Sequence, residues 1–421
     1  MNYEETLEYI HTINWRGSKL GLERVSELLR LMGNPEDSLK FVHIAGTNGK
    51  GSTAAMLASI LKSAGYKTGL YISPFIRRFN ERMQINGESI SDSELCEIVS
   101  YVRDFAEAME ELPTEFEIVL AVAMEYFKRN GCDVVVLEVG LGGRLDATNV
   151  IKTPVLQVIT SIDFDHMKEL GNTLSLIAAE KCGIIKNGVP TVSYVQQQEA
   201  KSVVEATCEE KDSALVFSDF DSIIPLESSL AGQRFSYKQY ENLFITLLGE
   251  HQLRNASLVL EAVDVLNKNG FKLNETAVNN GLRETVWQAR FQLLSTDPIF
   301  VVDGAHNPEG ALAAVAAAKE YLKGRDLTVM VGVLGDKDYG VMLSEIDTIA
   351  SRYVASEPNS PRALPSGELA EILGKTGKKV TAEKSVTDAV VKTIELAKEN
   401  GGAALALGSL YMAGEIIDYF E

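Results

Sequence analysis

Two periods alternate along the chain. Runs that are apolar at nearly every position, such as FVHIA at 41–45, CDVVVLEVG at 132–140 and PVLQVITSI at 154–162, read as strands buried on both faces of a parallel sheet. Between them apolar residues recur at helical spacing. In order, the pattern predicts helices over 3–14 and 21–32 punctuated by Gly17 and Gly21, a strand from Phe41, a helix to about Ala64 and the strand TGLYIS at 68–73. Ser91 with Glu94 and Thr114 with Glu117 have capping-box spacing, opening helices that run to about Leu112 and Asn130. A helix from Thr173, strands at 189–195 and 213–218 around a helix at 198–212, an antiparallel excursion over 219–247, and helices near 250–268 and 275–286 follow. From Phe291 the alternation restarts and runs from PIFVVD to AALALG, with strands at 291–296, 299–303, 327–334, RYVAS and KKVTA and helices at 308–322, 340–350, 366–375 and 386–400. The expected fold is α/β: an N-terminal P-loop ATPase domain with a mainly parallel sheet over 1–286, and a smaller C-terminal α/β, Rossmann-like domain over 287–421.

The first strand breaks into Gly46-Thr47-Asn48-Gly49-Lys50-Gly51-Ser52 before its helix. The glycines let backbone N–H groups turn inward, Lys50 supplies a mobile charge, Ser52 offers a hydroxyl to a phosphate-bound Mg²⁺, and the helix dipole favours the anion. This is a cradle for a nucleotide triphosphate tail. Its spacing departs from the common Walker pattern, with Ile44 where the first glycine belongs and Gly51 directly after the lysine.

In open α/β sheets ligands bind off the carboxyl ends of strands, so polar residues there are the candidates. Ser73 ends the second strand. Glu138 lies inside an apolar strand, where its carboxylate calls for a metal or a buried Arg or Lys. Asp163, Asp165 and His166 cluster past the strand at 154–162, and Asp303, His306 and Asn307 follow PIFVVD. Lys181, taken alone, is a solvated or salt-bridged helix lysine beside Glu180. A kinase, an ATP-driven ligase and a nucleotide-switched binding protein all fit these parts.

Composition narrows the setting. With 59 acidic against 40 basic residues, net charge −19, the chain lacks the basic face that nucleic acid or an anionic membrane requires. Any phosphate ligand must then be held by local cations and N–H groups. Cys96, Cys132, Cys182 and Cys208 form no CxxC pair, so free thiols in a reducing cytoplasm are expected, and the N-terminal MNYEETLEYIH does not read as a leader.

GTNGKGS at 46–52, SPF..RFNERMQING at 73–87, LEVGLGGRLDATN at 137–149, DHMKELGNTLSLIAAEKCGIIK at 165–186, GEHQLRNA at 249–256 and DGAHNPEG at 303–310 together resemble the folylpolyglutamate synthase/dihydrofolate synthase family of the Mur ligase superfamily. The resemblance implies an ATP-dependent ligase with its active site in the cleft between two domains. It implies that Gly46 to Ser52, Asn255, Arg290 and Asp303 bind ATP, that Ser73, Glu138 and His166 hold Mg²⁺, and that Lys181 is carbamylated. His306 would serve the nucleotide or the incoming L-glutamate, and Thr114, Glu115, Phe116, Glu117, Leu145, Asp146 and Ala147 would line the site for dihydropteroate or reduced folates. A monomer acting in the cytoplasm on small molecules is expected. A cell-wall ligase of the Mur type and a nucleotide-dependent binding protein without turnover stand as alternatives. One departure stands out: where the family usually has Pro-Gly before the linker arginine, this chain reads Trp287-Gln288-Ala289-Arg290.

Overall fold

The apolar runs become the inner strands of a sheet. In the computed structural model, which describes residues 1–12, 21–152, 154–335, 339–399 and 401–421, the chain divides into two compact units. Unit 1 comprises 1–224, 237–243 and 254–285, and unit 2 comprises 225–236, 244–253 and 286–421. The last residues of the helix expected over 3–14, Gly17, and residue 400 at the end of the helix expected over 386–400 lie outside the described residues.

Unit 1 holds an eight-stranded sheet built from β1 (Phe41–Ala45), β2 (Thr68–Tyr71), β3 (Met83–Ile85), β4 (Glu88–Ser89), β5 (Val134–Glu138), β6 (Leu156–Ile159), β7 (Thr191–Ser193) and β8 (Leu215–Phe217), in the order β4-β3-β2-β5-β1-β6-β7-β8. The pairs from β2 to β8 are parallel; β3 and β4 add an antiparallel edge. The helix Lys50–Ser63 carries the chain from β1 out to β2, β5 returns to fill the gap, and β6 crosses to the other side of β1. Connections therefore diverge beside β1, and its carboxyl end is the place where open α/β sheets bind their ligands. Register sets the neighbours there: Ile44 of β1 lies opposite Glu138 of β5 and Val158 of β6.

Phe41, Tyr71, Val135 and Leu137 share a core with Ile118, Leu120 and Met124 of the helix Glu115–Arg129. Every residue from Glu117 to Phe127 is buried, so this helix is enclosed all round. A second cluster joins Ala45, Val139 and Ile159 to Ile177, Ala178 and Cys182 of the helix Leu174–Cys182.

The chain then forms a three-stranded sheet of β9 (Ile223–Ser229), β10 (Gly232–Tyr237) and β11 (Tyr240–Ile245), through which the division of units passes. In unit 2, β12 (Gln292–Thr296), β13 (Ile299–Val302), β14 (Leu327–Val331), β15 (Arg352–Ala355), β16 (Lys379–Ala382) and β17 (Ala403–Leu407) order as β12-β13-β17-β14-β15-β16, with β12 alone antiparallel.

The element types follow the pattern, and the differences have causes. The helix capped by Ser91 spans Asp92–Ala106 and stops short of Leu112, because Met109 turns into the core and Pro113 lies ahead. The hairpin β3–β4 turns on Asn86 and Gly87, both at positive φ, an Asn-Gly signal that the sequence reading passed over. The helices Met167–Leu170 and Leu410–Phe420 were not anticipated either.

Candidate active site

The phosphate loop leaves β1 at Ala45 and is held in shape by the loop after β6. Thr47 N–H donates to Ser161 O at 2.6 Å, Thr160 Oγ1 donates to Asn48 O at 2.7 Å, and Thr47 Oγ1 exchanges bonds with the Asp163 backbone at 3.0 Å each way. Gly49 caps the helix Lys50–Ser63 at φ +83°, a left-handed backbone that suits glycine. Its missing Cβ matters as well, since one placed there would lie 2.5 Å from Asn255 Oδ1. Lys50 Nζ donates to the carbonyls of Gly46 at 3.2 Å and Thr47 at 3.0 Å, so the lysine folds back over its own loop. Ser52 is buried in the first turn of that helix.

Lys181 is not a surface residue. It is 3% exposed, and its Nζ donates to Gly46 O at 2.7 Å. Glu180, its neighbour, pairs instead with Arg144 at 2.7 Å. The solvated reading of Lys181 is thus corrected: one residue of rotation along the helix separates the Glu180–Arg144 ion pair from an ammonium buried on the phosphate loop. Glu138 ends β5, is 5% exposed, and its Oε2 accepts from Ser73 N at 3.3 Å. The parallel pairing of Tyr71 with Leu137 makes this meeting inevitable, since the two chains run on side by side. His166 is placed differently. It takes a left-handed backbone at φ +48°, is 44% exposed, and stands 3.9 Å from Asp165 and 4.0 Å from Glu169. Among the described residues no group of three or more His, Cys, Asp or Glu side chains is gathered to hold a metal.

Asn255, on the helix Glu250–Lys268, is buried, and its Oδ1 accepts a short hydrogen bond from the Tyr194 hydroxyl. Tyr194 lies just past β7, and with Thr160 and Ser161 it was missed. All three sit beyond strand carboxyl ends, so the rule that found Ser73 and Asp163 had the means to find them.

The expected acceptor segments also come together. Thr114 and Glu117 form a reciprocal capping box, with Thr114 N–H donating to Glu117 Oε2 at 2.6 Å, and the buried carboxylate pairs with Arg24 at 3.1 Å. Phe116 is half-buried, its ring 6.2 Å from that of Tyr71 in an edge-on arrangement. Gly140 lies against it, where a Cβ would stand 2.7 Å from the Phe116 ring and 3.3 Å from Asp146 Oδ2. Glu115 is half-buried, and Leu145 and Ala147 flank Asp146 in the turn that follows.

In unit 2, Asp303 follows β13 and accepts from the N–H groups of Phe291 and Ala305, each at 2.7 Å. Burial raises its pKa, against the opposing pull of the Arg290 guanidinium and of those two N–H groups. His306 Nδ1 stands 2.9 Å from Gly304 O, which puts a proton on Nδ1, and Asn307 caps the helix Pro308–Tyr321. At the departure from Pro-Gly, Ala289 adopts φ +54°, the conformation a glycine would take freely. Its carbonyl accepts from Gly304 N at 2.8 Å and from Arg290 Nη1 at 2.9 Å, and these bonds hold the turn while Ala289 carries some backbone strain.

A phosphate loop at the carboxyl edge of a parallel sheet, followed by a separate α/β unit, fits an ATP-dependent ligase of the Mur type. Two family models agree: the Mur ligase middle domain matches residues 44–263 and the Mur ligase glutamate ligase domain matches residues 289–410. The chain is 37% identical to the dihydrofolate synthase/folylpolyglutamate synthase of Bacillus subtilis over 98% of both chains. It is 30% identical to the Escherichia coli protein of the same name, over 99% of this chain and 94% of that one. Among solved structures, Mycobacterium tuberculosis folylpolyglutamate synthase complexed with ADP and AMPPCP matches with a TM-score of 0.90 at 29% identity, covering 100% of this chain and 99% of that one. Folylpolyglutamate synthase from Thermotoga maritima matches at 0.88 and 35% identity, covering 99% and 96%. With relatives this similar over nearly its whole length, the chain belongs to the folylpolyglutamate synthase/dihydrofolate synthase family.

Proposed function

We propose that this ligase joins L-glutamate to dihydropteroate and to reduced folates, as a monomer in the cytoplasm, with 1–286 as its ATP-binding domain and 287–421 as its glutamate-ligase domain. The observation that carries the reading is Lys181, buried on the Gly46 carbonyl of the phosphate loop while Glu138 and Ser73 meet at the neighbouring strand ends. A carboxylate is a poor electrophile and must be activated before an amine will attack it. An acceptor carboxylate oxygen attacks the γ-phosphorus of ATP, the bond to the β,γ-bridging oxygen breaks, and ADP leaves. The glutamate nitrogen then attacks the acyl carbon, phosphate leaves with the bonding pair, and the nitrogen gives up a proton to yield the amide.

Within this scheme Gly46 to Gly51 present N–H groups to the phosphates, and Lys50 unfolds from its own loop to meet the γ-phosphoryl charge. Asn255 contacts adenine, Arg290 and Asp303 serve the nucleotide, and His306 the nucleotide or the incoming glutamate. Phe116, with Thr114, Glu115, Glu117 and the segment Leu145-Asp146-Ala147, receives the pterin. The Glu138 carboxylate and Ser73 hydroxyl are hard oxygen donors that suit Mg²⁺, which would neutralise charge on the phosphates; His166 completes the assigned set, and a carbamate on Lys181 would add a further oxygen. The test is phosphate release by purified protein with ATP and L-glutamate, with dihydropteroate or tetrahydrofolate as acceptor, before and after chelation and re-addition of Mg²⁺. Acceptor-dependent release restored by Mg²⁺ is expected, and no release with either acceptor overturns the assignment.

A further inference from the structure

A polar chain that the ligation scheme does not use runs through the core of unit 1. His43 sits in the middle of β1, fully buried, and its Nε2 lies 2.9 Å from Thr148 Oγ1. Thr148 Oγ1 in turn lies 2.5 Å from Asp146 Oδ1, and Thr148 N–H donates to the same oxygen at 2.9 Å. Asp146 Oδ2 accepts from Leu141 N–H at 2.8 Å.

These contacts fix the protons. Asp146 accepts two backbone N–H groups and the Thr148 hydroxyl, which points its hydrogen at Oδ1. Its lone pairs then face His43, and Nε2 must carry the imidazole proton; Nδ1 is left bare and without a partner in the core. The opposite tautomer would bury an unpaired N–H and leave two oxygens 2.5 Å apart with no proton between them. Burial, reinforced by Lys186, pushes the His43 pKa down to about 3, so the ring stays neutral and keeps this role at any working pH.

Asp146 is thereby engaged by three donors of the turn itself, Leu141 N–H and the two Thr148 groups, out of the about four acceptor positions a carboxylate offers. It holds the turn after β5 in place, and that turn places Gly140 against the Phe116 ring.

We infer that His43 and Thr148 are positioning residues for the acceptor site, fixing through Asp146 the turn on which Phe116 rests. The inference rests on the assignment of Phe116 and Leu145-Asp146-Ala147 to the acceptor. It ties the strand that leads into the phosphate loop to the wall of the pterin site by one directional row of hydrogen bonds.

The experiment uses the full chain with four substitutions: His43→Leu and Thr148→Val, which remove a donor, and His43→Gln and Thr148→Ser, which keep one. Steady-state KM is measured separately for ATP and for the pterin acceptor, with thermal melts as a check on folding. Losing a group that orients a metal ligand typically costs about 10- to 100-fold, and an orienting row of this kind sets the same scale. His43→Leu and Thr148→Val are expected to raise the acceptor KM about tenfold or more. Their ATP KM should stay within about twofold, while His43→Gln and Thr148→Ser recover most of the loss. An unchanged acceptor KM, an equal rise in both KM values, or no recovery in the conservative variants overturns the inference. Should His43→Leu fail to fold, the nearly isosteric Thr148 pair decides alone. An unsubstituted protein without turnover on either acceptor would refute the proposed function instead, and the two failures are distinct.

Discussion

Gly49 is the position at which one added carbon should do the most damage for its size. At φ +83° an alanine carries a left-handed penalty of about 1–2 kcal/mol. Its Cβ would also lie 2.5 Å from Asn255 Oδ1, so the amide must move. That amide is buried and held by the Tyr194 hydroxyl, and displacing it forfeits a hydrogen bond of about 1–1.5 kcal/mol. Gly49→Ala should therefore cost about 2–3.5 kcal/mol in all, read as a lower urea midpoint at unchanged slope. Nucleotide affinity, measured by calorimetry, should fall by about tenfold or more, because both the loop and the proposed adenine contact shift. A double-mutant cycle separates the two causes. In an Asn255→Ala background the clash is absent, and Gly49→Ala should cost only the backbone strain, leaving a coupling of about 1 kcal/mol. Coupling below about 0.3 kcal/mol, or a Gly49→Ala protein with unaltered stability and affinity, would refute the argument from contact.

Arg24→Met should destabilise unit 1 by about 3 kcal/mol or more in urea titration, because it leaves the Glu117 carboxylate buried with only its cap donors; adding Glu117→Gln should recover part of that loss. Ala289→Gly should raise stability by about 0.5–1 kcal/mol, since the left-handed turn then carries no Cβ penalty, and equal or lower stability counts against strain at that position. His43 binds its proton in the unfolded chain near pH 6.5 and in the folded one only near pH 3, so the unfolded state holds more protons in between. Its contribution is therefore full above about pH 6.5 and lost as pH falls, at about 1.4 kcal/mol per unit through that window. Asp146, whose pKa burial raises, works in the opposite sense, so the quantity to measure is the difference in urea stability between unsubstituted and His43→Gln protein from pH 7 to 4.5. A flat difference would mean that His43 titrates normally.

Much of this molecule could be read from its chain, because parallel strands buried on both faces must be apolar at nearly every position, and phosphate loops need glycine, lysine and a hydroxyl within a few residues. The strand–loop–helix at 41–63, the capping box at Thr114–Glu117 and the restart after Arg290 are all local signals of that kind. The Asn-Gly hairpin at 86–87 was just as local and was overlooked. Lys181 shows the limit: AAEKCGIIK has no feature that tells an ammonium facing Gly46 from one facing water, and only the fold decides between them.

Residue types and spacing by themselves determined the α/β class, the phosphate loop, and the candidates at the strand ends. Which of those candidates meet was decided only in three dimensions. Ser73 reaches Glu138 because β2 and β5 run parallel in one register, although 65 residues separate them. Tyr194 reaches Asn255 across 61 residues, and His43 reaches Thr148 across 105. Hydrogen bonds and burial act through space over a few ångströms, and a sequence pattern reports only neighbours within a turn or two; sheet order and register convert the one into the other.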